Sequence, residues 1–99
     1  MTENEYEAEL DKYEEAMAEF NAKADKLQAT ERELVMQSRQ DEVRRREWVA
    51  RYDLALEKQP PDDREIAAYM AAVKELRNKA IQRKAALDAV RADYDELFR

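Results

Sequence analysis

The sequence predicts an all-α protein, a long antiparallel coiled-coil helical hairpin, and three observations carry that prediction. Glycine is absent. The two prolines stand side by side, as Pro60 and Pro61. Apolar side chains recur at steps of three and four residues on both sides of them. A β-rich fold of this size would need several turns with positive φ, which glycine supplies most cheaply. Ala, Glu, Lys, Leu and Arg fill more than half of the chain, the composition of long helices and coiled coils.

The first helix is expected over residues 3–58. In "TENE", Thr2 stands three residues before Glu5, the spacing of a capping box. From there Tyr6, Leu10, Tyr13, Met17 and Phe20 step by four and three, so one face of the helix is apolar. The stripe continues through Ala24, Leu27, Glu31, Leu34, Ser38, Asp41, Arg45, Trp48, Tyr52 and Ala55, and it turns polar between residues 38 and 45. Two readings compete there. Either one helix runs through a polar layer, or the chain breaks at "QSRQDE" and forms a compact three-helix bundle. Neither Gly nor Pro marks a break, which favours the continuous helix.

Residues 59–62 are expected to turn the chain. Pro60 and Pro61 cannot continue a helix, and Gln59 is pushed toward extended backbone by the ring after it. Asp62 then caps a return helix over residues 63–98, with Glu65 as its box partner and Pro61 and Ile66 spaced as a staple. That helix carries Ile66, Tyr69, Val73, Leu76, Ala80, Arg83, Leu87, Val90, Tyr94 and Leu97, a sustained stripe in which only Arg83 is polar. All 99 residues thus read as a single helical domain.

Folding the two helices back around the prolines sets Tyr69 against Tyr52, Leu87 against Leu34 and Tyr94 against Leu27. Arg83 falls opposite Ser38, one turn from Asp41, so these three residues form a polar layer that specifies alignment. At 1.5 Å per residue the forward helix spans roughly 80 Å and the return helix roughly 55 Å. The return helix therefore ends before an N-terminal arm, residues 3–20. Burying Tyr6, Leu10, Tyr13, Met17 and Phe20 is worth on the order of 1.5–3 kcal/mol each. An exposed stripe of that size marks an association site. The expected partner is a second copy or another protein, giving a homodimer or a hetero-complex through residues 5–20 that completes the fold.

Charge is uneven. Residues 1–19 hold eight acidic groups and one lysine. Arg39, Arg44, Arg45, Arg46, Lys74, Arg77 and Lys84 gather near the middle of the hairpin as a basic partner patch. An acidic protein surface suits that patch. Nucleic acid fits less well, since the chain carries a net charge of −6 and no stacking platform accompanies the arginines.

Catalytic chemistry is not expected. Without glycine there is no phosphate-cradling loop. With neither His nor Cys there is no ordinary zinc site, imidazole base or thiol nucleophile. Asp62 and Asp63 read as helix-capping residues. No cofactor and no metal is expected, and no segment is apolar enough to serve as a secretory leader or to span a bilayer. The functional expectation is a non-catalytic protein–protein interaction module: an adaptor, chaperone or scaffold-like assembly protein of a bacterial or viral kind, cytoplasmic or virion-associated. The alternative is a small inhibitor or regulator that docks its basic midsection on an acidic protein surface or on nucleic-acid machinery.

Overall fold

The computed structural model describes residues 2–99 and is a two-helix hairpin, 89 × 16 × 14 Å. Helix α1 runs without interruption over Glu3–Glu57, and α2 over Asp63–Leu97. The described residues contain no strand and no third helix. The three-helix bundle is thereby excluded. The reason is local: Gln37 to Glu42 are all competent helix residues, and Ser38 bonds its hydroxyl back to the Leu34 carbonyl at 3.0 Å instead of capping a new helix.

Both helix starts are built as the spacing implies. The Thr2 hydroxyl accepts from the Glu5 amide at 3.2 Å, while the Glu5 carboxylate accepts from the Thr2 amide at 3.3 Å. Asp62 accepts from the Glu65 amide at 3.2 Å and from the Lys58 ammonium, also at 3.2 Å. The turn is closed by the Asp62 amide, which donates to the Ala55 carbonyl at 3.1 Å. Ala55, 1% exposed, is the one fully buried residue among those described. Its small side chain lies where the turn closes and α2 starts.

Beyond the turn the helices meet along a single half-buried seam. Tyr52 and Tyr69 stack at a centroid distance of 4.3 Å, which fixes the alignment expected from the turn position. Arg51 lies over the Trp48 ring at 4.2 Å and reaches across to Glu65 at 2.9 Å, so the turn end is clamped by aromatic and ionic contacts together. At the far end Gln28 donates to the Tyr94 hydroxyl at 3.4 Å. One turn later α2 finishes at Leu97, and beyond Phe20 α1 continues alone. A two-helix rod has no third layer to close over its seam, which is why Leu34, Trp48, Val73 and Leu87 keep partial solvent contact.

Candidate association surfaces

The first surface is the N-terminal arm. From Glu3 to Glu19 every residue is exposed, although the helix is continuous. Tyr6 and Tyr13 are 60% and 63% exposed, and Leu10 and Met17 are also open to solvent. These four side chains lie on the stripe that α2 covers further along the same helix. Phe20 differs from its expected role. Its ring meets Phe98 edge-on at 5.2 Å, and Phe98 in turn contacts Tyr94 at 4.9 Å. Phe20 thus closes the end of the hairpin within its own chain, and the free seam is Tyr6 to Met17. The return helix reaches about one turn further than its seam residues alone suggest, because Phe98 at its C-cap adds an aromatic contact.

The second feature is the polar layer. Arg83 forms an ion pair with Asp41 and donates to the Gln37 amide oxygen at 3.3 Å. The two charged side chains are 18% and 13% exposed, the most sheltered ion pair among the described residues. Ser38 is not part of the layer. Its hydroxyl is satisfied by Leu34 in its own helix, and Gln37 takes the place expected of it. Because Ser38 and Ala80 are both small, the helices leave a cleft of about 350 Å³ between them, floored by Leu34, Val73, Leu76 and Leu87.

The third surface is basic, and the structure divides it in two. On α1, Glu42 binds Arg45 at 2.7 Å and Arg46 at 3.5 Å, while Arg44 stands 4.0 Å from Asp41. The hydrogen bond from Arg45, helped by Arg46, holds the Glu42 carboxyl below its ordinary pKa. Much of the charge of the three consecutive arginines is therefore answered locally. Arg39, Lys74, Arg77 and Lys84 have no carboxylate within 4.0 Å among the described residues. On α2 three of these free cations share an edge with two exposed apolar side chains, Met70 at 63% and Ile81 at 61%. The order Met70, Lys74, Arg77, Ile81, Lys84 again steps by four and three, one residue past the seam. This edge was legible as a second helical period, masked in the sequence by the stronger apolar period next to it.

No group of three or more acidic, histidine or cysteine side chains suited to a metal ion occurs among the described residues, and no helix there is long and apolar enough to cross a membrane. No family model matches the chain, and no curated protein or solved structure matches it either. The functional reading therefore rests on the surfaces themselves.

Proposed function

We propose that the protein is a non-catalytic interaction module, an adaptor or scaffold-like assembly element that acts by pairing its N-terminal arm, through Tyr6 to Met17, with another chain. One observation carries this reading: Tyr6, Leu10, Tyr13 and Met17 stand in solvent on the same stripe that α2 covers from Phe20 onward. Full burial of such a side chain is worth about 1.5–3 kcal/mol, and covering the part that remains exposed favours association. The helix is already formed and capped, so little ordering entropy opposes docking. A chain free of cysteine suits a reducing compartment, and a cytoplasmic or virion-associated site of action belongs to the proposal.

Sedimentation velocity over a concentration series tests it. The intact chain should associate, while a Leu10→Gln, Met17→Gln variant should stay at the monomer mass of 11.7 kDa. A monomer whose arm is as protected from hydrogen exchange as its hairpin would overturn the reading, because a seam already sheltered needs no partner.

A second reading has its own support. The free cations Lys74, Arg77 and Lys84 fit an inhibitor or regulator that docks on an acidic protein surface. Reversing Arg77 and Lys84 to glutamate would then abolish target binding while leaving the helical content unchanged.

A further inference from the structure

If the arm seeks a second chain, its charge restricts what that chain presents. Glu7, Glu9 and Glu14 flank the apolar stripe, and the arm's one lysine, Lys12, lies on the opposite side of the helix. Two arms laid together, in either direction, set these carboxylates against each other with no cation beside the seam. Like charges at such flanking positions act against the pairing. The edge of α2 from Met70 to Lys84 offers the reverse: three unpaired cations interleaved with exposed Met70 and Ile81.

We propose that the arm of one copy docks along the Met70–Lys84 edge of the return helix of the next, joining copies head to tail in an open chain. This rests on the reading that the arm, Tyr6 to Met17, pairs with another chain, and it names the surface it pairs with.

Length and stereochemistry agree with it. Tyr6 to Met17 spans about 17 Å of helix and Met70 to Lys84 about 21 Å. Arg77 and Lys84 of this edge also line the cleft left by Ser38 and Ala80, whose volume is about 350 Å³. Polarity follows from the hairpin. Past Phe20 the seam of α1 is covered by α2, so whatever covers Tyr6 to Met17 lies in line with α2, beyond Phe98. The docked return helix must therefore start where the first one ends, which sets Met70 near Tyr13 and brings Lys74 and Arg77 alongside Leu10, Glu7 and Tyr6. That is possible only if both copies point the same way. A reciprocal exchange of arms between two opposed copies would force both return helices into the same space. Each copy is left with one used and one free surface, a heterologous contact that does not close on itself.

The test uses the full chain at low ionic strength and two charge-reversed variants. One reverses the edge, Arg77→Glu with Lys84→Glu. The other reverses the arm, Glu7→Lys with Glu14→Lys. All four positions are exposed, and none lies on the hairpin seam. The wild-type chain should form species larger than a dimer that grow with concentration and shrink as salt is raised. Each variant alone should associate at least about tenfold more weakly. An equimolar mixture should recover assembly, since the basic arm then meets the acidic edge and the acidic arm the basic one. A closed dimer that ignores edge reversal, tightens with salt and is lost in Leu10→Gln, Met17→Gln would overturn this proposal while leaving the arm as the association site. A wild-type chain that stays monomeric at every concentration would overturn both.

Discussion

Arg83 on the return helix closes on Asp41 of the forward helix, and Gln37 binds the same guanidinium from one turn away. The layer sits where the seam is otherwise apolar, so its worth depends on both partners being present. Replacing Asp41 with alanine strands a half-buried arginine and should lower stability by roughly 1–2 kcal/mol, less than for a fully buried pair because water still reaches both groups. Replacing both residues with leucine should restore most of the loss. Thermal unfolding of Asp41→Leu, Arg83→Leu and the double variant measures the coupling.

The Tyr52–Tyr69 stack is the aromatic counterpart at the turn end. Its two rings should couple by about 0.5–1.5 kcal/mol beyond the apolar area they cover. A double-mutant cycle with Tyr52→Leu and Tyr69→Leu reads that coupling directly. A value near zero would mean that the rings only fill space.

Asp62 gives the fold a defined acid sensitivity. The Glu65 amide, and then Lys58, hold its carboxyl below the ordinary value. A depressed folded-state pKa contributes stability that is fully present above the unfolded-state value and is lost as pH falls through the depressed one. Denaturant midpoints should therefore hold above the ordinary aspartate range and decline as pH falls below it toward the depressed value. In Asp62→Asn, which still caps the helix but cannot titrate, this part of the decline should vanish.

The arm should report its own exposure. In dilute solution the amides of residues 6–17 should exchange faster than those of residues 66–90, since no second helix shields them. Thr2→Ala removes the hydroxyl half of the capping box and should cost the arm about 0.5–2 kcal/mol. Fraying at Glu3 to Glu5 would show this first in amide exchange and then in weaker association.

Much of the architecture was readable because each device is local. Thr2 with Glu5, the paired prolines and Asp62 with Glu65 mark their helix boundaries within a few residues, and the turn then dictates which seam residues meet. The Tyr52–Tyr69 pairing follows from that alone. What spacing did not reveal are choices between nearly equivalent neighbours. Ser38 and Gln37 flank the same point of the seam, and the shorter side chain is satisfied by its own helix while the longer one reaches Arg83. Phe20 looked free because Phe98 lies beyond the last seam position of α2, at a C-cap whose direction a heptad count does not supply. The cationic edge of α2 was visible as charge but not as a surface, since local pairing at Glu42 answers the more conspicuous arginines of α1.

The contact between Phe20 and Phe98 has one more consequence. It divides a single uninterrupted stripe into a sheltered part and an open part, and nothing but that aromatic latch and the last turns of α2 sets where the division falls. Peeling those turns back would bare Ala24 and Leu27 and hand an incoming helix a longer foothold. Under the proposed pairing, self-contact and capture of a neighbour would be rival claims on one track, with the reach of the arm traded against the integrity of the chain's own tail.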